Sequence, residues 1–163
     1  MMKNEFIIRN ANTSDINDIL SIFNYYIKNS FAAYLEDEVK TNFFHDIMQT
    51  SQFFYILELG TRTIGFAFLK NYLPYKNFEH TGQITYFINE KHTNKGLGTL
   101  LLNKLIKDAK EHGISILLVN LSSLNQSSLN FHKKHGFVEC GRFKNIGKKF
   151  NHNFDIIWMQ RNL

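Results

Sequence analysis

Hydrophobic residues recur at helical spacing in four stretches of the chain. The first stretch carries apolar residues on one helical face: Ile16, Ile19, Leu20, Phe23 and Ile27. Thr13 or Ser14 stands just before this face and is expected to cap the helix. Weaker or shorter helical patterns cover residues 41–51, about 96–112, and 125–137. Glycines close the last two patterns, as is typical of helix ends.

Apolar runs rich in aromatic and β-branched residues alternate with these helices and predict seven strands. The runs lie at residues 5–11, 52–59, 62–73, 82–88, 114–121, 137–145 and 153–161. Gly60, between the second and third runs, indicates a hairpin. The run at 114–121 is almost wholly apolar, which is typical of a strand buried on both faces. The order of elements predicts an α/β fold, with residues 1–163 forming one domain.

Composition narrows the class of protein further. The chain is 44% hydrophobic and 15% aromatic, which favours a packed core over disorder. No apolar run reaches the roughly 18 residues of a membrane span, and no signal-peptide pattern opens the chain, so a cytoplasmic location is expected. Cys140 is the only cysteine and excludes an internal disulfide; its place in a late strand predicts a buried, inert side chain.

The net charge of +5 suggests an anionic partner, which could be nucleic acid, a membrane surface or a phosphate-bearing cofactor; a solvated surface charge is the simpler explanation. The lysines are scattered along the chain, and no nucleic-acid-binding motif or clustered basic face is present. Neither nucleic acid nor a membrane is therefore the expected partner.

Gly96 and Gly98 stand where the fourth predicted strand passes into the third helix. Unpaired N–H groups and the helix dipole make such a junction suitable for binding a phosphate group, and glycines allow the backbone to approach it closely. A tight turn into a core helix is the simpler alternative. A dinucleotide-binding fingerprint is disfavoured because Leu101 replaces its third glycine, and a P-loop is disfavoured because no lysine separates Gly98 from Thr99.

The strand, "KHTNKGLGTLL", the amphipathic helix, the next strand and "NQSSLNFHKKHGF" together resemble the GNAT superfamily of acetyl-CoA-dependent N-acetyltransferases. The opening "IIRNANTSDINDILSIFNYYI" and the close "NIGKKFNHNFDIIWMQRNL" are most similar to its phosphinothricin and methionine sulfoximine branch, the close through Gly147, Lys149, Asp155 and Gln160. The resemblance implies a GNAT fold. Its mixed central sheet has about seven strands and about four flanking helices, with strands 4 and 5 splayed apart. It also implies a homodimer.

The same resemblance implies acetyl-CoA as the acetyl donor and no metal. Backbone amides of the glycine loop would bind the pyrophosphate, in the segment Asn94, Lys95, Gly96, Leu97, Gly98 and Thr99. Main-chain groups of Tyr86, Phe87 and Ile88 would contact the pantetheine arm and polarise the thioester carbonyl. Asn125 and Ser128 match further residues that contact the cofactor.

His132 matches the position from which this branch would protonate the leaving thiolate, and imidazole can supply a proton near neutral pH. An ordinary surface or capping contact is the simpler alternative. His132 and His135 also share one helix face at a metal-compatible spacing. No acidic or cysteine partner is near them in sequence, so no metal site is expected.

The chain departs from the family pattern at three places. Thr93 replaces the usual Gln or Arg of the loop, so Lys91 or Lys95 would have to supply charge. Gln83 stands where the branch carries its general-base glutamate, and an amide cannot accept the proton of an ammonium group. Glu79, His80 or Glu36 could replace it, or the acceptor amine could need little help. Finally, Asn153 and His152 replace a tryptophan and a glycine.

The sequence therefore predicts transfer of acetyl to the primary amine of a small amino-acid-like acceptor, by direct attack in a ternary complex. Tyr34, Phe31 and Tyr72, with Tyr75 beside it, are candidates to line the acceptor pocket, although packing would equally explain each of them. The alternatives are transfer to another amine (a peptide N-terminus, a polyamine or an aminoglycoside) and a non-catalytic acetyl-CoA-binding or sensor protein, which Gln83 motivates.

Overall fold

Seven strands pair edge to edge in the order β1–β2–β3–β4–β5–β7–β6. The computed structural model describes residues 5–163. The elements, in chain order, are β1 (Phe6–Asn10), α1 (Ile16–Asn29), α2 (Thr41–Thr50), β2 (Ser51–Leu59), β3 (Arg62–Asn71), β4 (Thr81–Ile88), α3 (Leu97–Glu111), β5 (Ile116–Ser122), α4 (Gln126–Lys134), β6 (Val138–Lys149) and β7 (His152–Asn162). The predicted mixed sheet with four helices is confirmed. No helix within residues 5–163 is long and apolar enough to cross a membrane.

The two faces of the sheet carry separate cores. On one face, α3 and the following segments bury leucines against Leu57, Ile84 and Leu117. On the other face, α1 and α2 cover a core dominated by phenylalanines, which includes Phe44, Phe54 and Phe66. Side chains of a strand point alternately to opposite faces. On β4, Ile84, Tyr86 and Ile88 therefore pack toward α3, whereas Phe87 packs toward α1.

Helix α1 begins differently from the sequence expectation. The capping residue is Asn12, whose side chain accepts a hydrogen bond from the Ser14 N–H. The Asp15 carboxylate in turn accepts a hydrogen bond from the Asn12 N–H. This capping box starts a 3₁₀ turn over residues 13–15 that leads into α1. Asp15 is buried and is paired with Arg9, which also contacts Glu58 and so ties β1, β2 and the helix start together.

Two strand predictions need correction. The run at 114–121 is not buried on both faces: Leu117 and Val119 are buried, whereas Ile116 and Leu118 are only partly covered. Strand β6 is the edge of the sheet and runs four residues further than predicted, to Lys149. Most of its side chains are exposed, and Cys140 is among them, so the expectation of a buried cysteine is wrong.

The predicted separation of the fourth and fifth strands is confirmed. β4 and β5 are the only parallel neighbours in the described sheet, and their pairing covers only Thr81–Gln83 against Ile116–Leu118. Beyond Gln83, β4 stays paired with β3 and β5 stays paired with β7. The two strands therefore open a cleft in the middle of the sheet.

Candidate active site

The cleft is bordered by backbone groups of β4 that have no paired strand on the β5 side. His80 accepts hydrogen bonds from the β5 side, and Asn89 donates to Ile64 of β3, so even-numbered residues of β4 face β5 and odd-numbered ones face β3. The N–H and C=O groups of Tyr86 and Ile88 consequently point into the cleft. The main chain of Phe87 points to β3 instead, in contrast to the sequence expectation, and its carbonyl lies beside Gly65.

Around this cleft lies a cavity of about 480 Å³. Ten of the eleven residues expected to bind the cofactor line it, and so does His132; the exception is Lys95. The structure therefore brings together the glycine loop, the end of β4 and the start of α4, which are separated by up to 40 residues in sequence. Tyr26 reaches the cavity from α1 and donates its hydroxyl to the Ile88 carbonyl at 2.6 Å. Ala32, in the loop after α1, also lines it.

Two residues of the glycine loop have a left-handed backbone conformation, which turns the N–H groups of the loop outward. Asn94 has φ 60° and Gly96 has φ 78°, and Gly96 caps α3. No N–H group from Asn94 to Thr99 bonds to a backbone carbonyl of the described residues. Such a concave row of amides at the positive end of a helix is suited to an anion. Packing within the chain does not require the second glycine, because a Cβ on Gly98 would make an ordinary contact of 3.4 Å with the Phe131 ring.

Polar side chains around the loop are mostly engaged within the chain. Asn125 caps α4, with its Oδ1 atom accepting from the Ser128 N–H at 3.3 Å. The Thr93 hydroxyl donates to the Glu90 carbonyl at 3.0 Å, and Lys95 donates to the Lys91 carbonyl at 3.2 Å. The loop therefore presents mainly backbone donors, with the lysine side chain at its rim.

His132 is buried and both of its ring nitrogens are engaged. Nδ1 lies 2.7 Å from the Ser128 carbonyl oxygen. A carbonyl can only accept a hydrogen bond, so Nδ1 is the protonated nitrogen. Nε2 lies 2.5 Å from the Tyr86 hydroxyl and therefore accepts its hydrogen. The result is a chain from Tyr86 through a neutral imidazole to the backbone of α4.

Burial sets the protonation states of this pair. It lowers the pKa of His132 from 6.5 to about 4, because the charged ring is poorly solvated there; the Ser128 carbonyl opposes this shift and His135 adds slightly to it. Burial also raises the pKa of Tyr86 well above 10. At neutral pH the imidazole is uncharged and its proton is held by Ser128, so His132 is not an imidazolium donor to the cleft.

His135 shows a similar arrangement one turn later. Its Nδ1 lies 2.8 Å from the Phe131 carbonyl and its Nε2 lies 3.1 Å from the Thr99 hydroxyl. Both histidines of the pair thus use both ring nitrogens within the chain. Within the described residues 5–163, no group of three or more His, Cys, Asp or Glu side chains could hold a metal ion.

Gln83 is the last residue of β4 that pairs with β5, and it is paired on its other side with Lys70 of β3. The three alternatives considered for a base lie elsewhere. Glu79 and His80 line a second, open cavity of about 590 Å³, which contains none of the cofactor-binding candidates. The Glu36 carboxylate accepts the Phe150 N–H at 2.8 Å. The structure therefore places none of these three side chains in the cleft.

The aromatic candidates for the acceptor site lie outside the cavity lining. The Tyr34 hydroxyl donates to Asn120 Oδ1 at 2.9 Å, and its ring stacks on Phe154, with 5.8 Å between the centroids. Phe31 packs edge-on against the same Phe154. A Cβ on Gly147 would collide with the Phe154 ring, which explains the glycine there.

Tyr72 belongs to a neighbouring aromatic group. Its ring lies 6.0 Å from both Phe78 and Trp158, whereas Tyr75 is 65% exposed and belongs to neither contact. Trp158 is directly opposite Asn120 in the antiparallel pair of β5 and β7, so the two side chains share a face. Tyr34, Asn120, Trp158 and Tyr72 thus follow one another across the α1 face of the sheet, beside the cleft.

Sequence reasoning missed Asn120, Tyr26 and the role of the Tyr86 side chain. Asn120 could have been found, because it is the single amide in the apolar run of β5. Nothing in the pattern distinguished Tyr26 from the other aromatic residues of α1. The Tyr86–His132 contact joins residues 46 positions apart and depends on the packing of α4 against β4.

Comparison with known proteins places this geometry in context. The family model described as "Acetyltransferase (GNAT) family" matches residues 19–137. Among curated proteins, the L-methionine sulfoximine/L-methionine sulfone acetyltransferase of Pseudomonas aeruginosa is 27% identical over 161 residues, covering 96% of this chain and 94% of that protein.

Solved structures agree with the fold over the whole sheet. The structure of yncA from Salmonella typhimurium "with its cofactor Acetyl-CoA" has a TM-score of 0.89 at 25% identity and covers 98% of this chain and 95% of that one. A ribosomal-protein-alanine N-acetyltransferase from Brucella melitensis has a TM-score of 0.88 at 27% identity, covering 96% of this chain and 99% of that one.

Proposed function

Because the chain belongs to the acetyltransferase (GNAT) family, we propose that it transfers acetyl from acetyl-CoA to the primary amine of a small amino-acid-like acceptor. The observation that carries the proposal is the cleft between β4 and β5, which joins an amide-rich anion site to two open backbone edges. The named activity of the Pseudomonas aeruginosa relative supports methionine sulfoximine or methionine sulfone as the acceptor type.

The residues present fit acetyl-CoA at both ends of the cleft. The unpaired amides of residues 94–99 suit a pyrophosphate group. The N–H and C=O groups of Tyr86 and the N–H group of Ile88 suit an extended arm that contains amides, which can pair with them as a further strand would. When bound, acetyl-CoA supplies an activated acetyl group as a thioester.

Backbone N–H groups at the end of β4 would stabilise the charge that develops on the carbonyl oxygen during attack. Tyr86 and Ile88 are the two residues whose N–H groups face the cleft there. The hydrogen bond from Tyr26 to the Ile88 carbonyl holds this strand end in place. Fixed dipoles of this kind lower the barrier because they need no reorganisation during the reaction. We propose direct attack by the amine with both substrates bound; Cys140, which is exposed on β6, does not line the cavity.

The proton for the leaving sulfur is assigned to the Tyr86 hydroxyl rather than to His132. His132 is neutral and accepts from Tyr86, so it orients the hydroxyl beside the cleft. In this scheme the Tyr86 O–H rotates from His132 Nε2 toward the sulfur and its proton passes to the thiolate, and the proton released by the attacking amine restores the phenol and its hydrogen bond to His132. No net proton is lost from the pair.

Gln83 does not line the cavity, and it cannot deprotonate the amine. Its amide oxygen can accept an N–H hydrogen bond, but it cannot take a proton from an ammonium group. The acceptor must therefore react as its free base. We expect turnover at low acceptor concentration to rise with pH until the acceptor amine itself is deprotonated.

The test is release of free thiol from acetyl-CoA with a panel of amines: methionine sulfone, methionine sulfoximine, phosphinothricin, other amino acids, a polyamine and a peptide with N-terminal alanine. Turnover confined to the amino-acid-like group is the expected result. Preference for the peptide would favour the activity named for the Brucella melitensis structure. Tight binding of acetyl-CoA without turnover of any amine would favour a sensor.

The same assay tests the proton donor through Tyr86→Phe. We expect kcat to fall roughly 10- to 100-fold, because general acid catalysis is lost, while the Kd for acetyl-CoA stays within about threefold. The matched control is Tyr25→Phe, which removes a hydroxyl from an exposed ring on α1. Unchanged kcat in Tyr86→Phe would contradict the assignment.

We propose further that residues 1–163 act as one domain and that two copies form a homodimer through β6. The strand is an edge of the sheet, and Val138, Phe143 and Ile146 on it are each more than half exposed. Exposed edge strands with apolar residues are suited to pairing with another chain. The cytoplasmic location stays a prediction.

A further inference from the structure

Lys149, the last residue of β6, is completely buried. Its ammonium group donates to the Ser30 carbonyl and to the Ala33 carbonyl, both at 2.7 Å. No carboxylate of the described residues lies within ion-pair distance of it. A buried cation held only by carbonyls is costly to desolvate, and burial accordingly lowers the pKa of Lys149 below its usual 10.5. The proposed reaction leaves this group unused.

The two carbonyls belong to the start of the loop between α1 and α2, which we call the acceptor loop (residues 30–40). Ser30 follows the last residue of α1, and Ala33 is three residues further on. The residue between them that lines the cavity is Ala32. Lys149 therefore holds the loop on both sides of its point of contact with the cleft.

The next residue of the acceptor loop is Tyr34, which connects the held turn to the α1 face of the sheet. Its hydroxyl reaches Asn120 of β5, which also lines the cavity, and its ring stacks on Phe154 of β7. A second tie lies further along the loop, where Glu36 accepts the Phe150 N–H. The end of β6 and the turn after it thus contact the acceptor loop at two points, through Lys149 and through the Phe150 N–H.

We propose that Lys149 is a positioning residue for the acceptor site, which holds the acceptor loop so that Ala32 and Tyr34 take their places beside the cleft. This inference rests on the proposed function, because it assigns the loop to the amine acceptor. The side chain suits the task. Its ammonium has several donors for two diverging carbonyls, and it also lies 4.8 Å from the centre of the Phe150 ring.

The experiment compares Lys149→Met with Lys148→Met. Both remove one lysine charge, but Lys148 is exposed and contacts neither carbonyl. Hydrogen–deuterium exchange of peptides covering residues 30–40 measures the loop without any substrate. We expect exchange to rise at least tenfold in Lys149→Met and to stay unchanged in Lys148→Met. Unchanged exchange in Lys149→Met would overturn the proposal even if the enzyme has no activity.

Steady-state kinetics then test whether the loop serves the acceptor. With the amine found active in the thiol-release assay, Lys149→Met should raise the KM for the acceptor at least tenfold. The Kd for acetyl-CoA should change less than threefold. An equal loss in both affinities, or a lower melting temperature with unchanged acceptor KM, would show a purely structural role and overturn the proposal.

A double-mutant cycle with Tyr34→Phe locates the effect. If Lys149 acts through Tyr34, adding Tyr34→Phe to Lys149→Met should raise the acceptor KM by less than twofold, although Tyr34→Phe alone raises it several-fold. Fully additive effects would contradict this route. If Lys149→Met does not fold, Lys149→Arg, which keeps cationic N–H donors in the site, is compared with a folded Lys149→Gln. Hydrogen exchange and acceptor KM that are nearer to wild type in Lys149→Arg than in Lys149→Gln support the proposal. Equal values in the two variants overturn it.

Discussion

At the scale of single residues, His132 shows how tertiary packing changes the chemistry of a side chain. The sequence identified its position, and imidazole suggested a proton donor near neutral pH. In the fold, α4 places the ring against β4, where the Ser128 carbonyl accepts a hydrogen bond from Nδ1–H and Tyr86 donates to Nε2. The donor that we propose is therefore the Tyr86 hydroxyl, because a buried imidazole resists a second proton.

The buried imidazole should make stability depend on pH in the acidic range. In the unfolded chain His132 binds a proton with a pKa of about 6.5, whereas in the folded chain the pKa is about 4. Between these values the unfolded state binds more protons, so the free energy of unfolding rises with pH and falls as pH drops from about 6.5 to 4. The His132 contribution to this loss is at most about 3 kcal/mol.

The measurement is denaturant unfolding at pH 7 and at pH 4.5, comparing wild type with His132→Gln. We expect the difference in unfolding free energy between the two pH values to be smaller in the variant. His45→Gln, which changes an exposed histidine of α2, is the control and should behave as wild type. The same difference in wild type and His132→Gln would show that the ring is protonated in the folded protein.

At the scale of elements, α3 is the clearest case in which local sequence and function coincide. The helix has left-handed glycines at both ends: Gly96, with φ 78°, caps its start, and Gly113, also with φ 78°, follows its end. A Cβ on either glycine would meet no atom within 4 Å, so both are required by backbone conformation and not by space. Only Gly96 belongs to the loop that presents the amides.

This pair allows the conformational and binding roles to be separated. We expect Gly96→Ala and Gly113→Ala each to lower the free energy of unfolding by about 1 to 2 kcal/mol, because both place a Cβ in the left-handed region. Only Gly96→Ala should also weaken acetyl-CoA binding, roughly tenfold, because strain in the loop misaligns its amides. Calorimetric titration with acetyl-CoA measures this, and equal affinities in the two variants would remove the loop from the binding site.

At the scale of the whole molecule, the two edges of the sheet differ in what they offer a partner. β6 carries Ile146 at 61% exposure, whereas β1 at the other edge carries Ile7 at 48%. β6 also continues into the turn that holds the acceptor loop through Lys149. A partner bound at β6 would therefore lie next to the acceptor side of the cleft.

The proposed dimer predicts different effects of the same substitution at the two edges. Ile146→Lys should shift the protein to a monomer, because a buried interface would not accept an unpaired ammonium group. Ile7→Lys, which makes the same change on β1, should leave the dimer intact. Light scattering coupled to size-exclusion chromatography measures both masses, and a wild-type monomer at micromolar concentration would refute the dimer.

Local patterns determined most of the fold and part of the site. Hydrophobic periodicity and the glycines located all four helices and seven strands, since these depend on neighbours a few residues away. The glycine loop, Asn125 and His132 could be proposed for the site because they belong to short motifs, and residues of all three line the cavity. Asn12, Thr13 and Ser14 can all cap a helix, and only the contacts of Asp15 identify Asn12 as the capping residue.

What the tertiary structure alone decided is the set of contacts between segments distant in sequence. The side of β4 that faces the cleft depends on its register with β3 and β5, so main-chain contacts could not be assigned correctly for Phe87. The neutral state of His132 depends on burial, and the role proposed for Lys149 depends on two carbonyls more than 100 residues away. Sequence determines which groups are available, and packing determines their protonation and their partners, because both depend on the surrounding protein and not on the neighbouring residues.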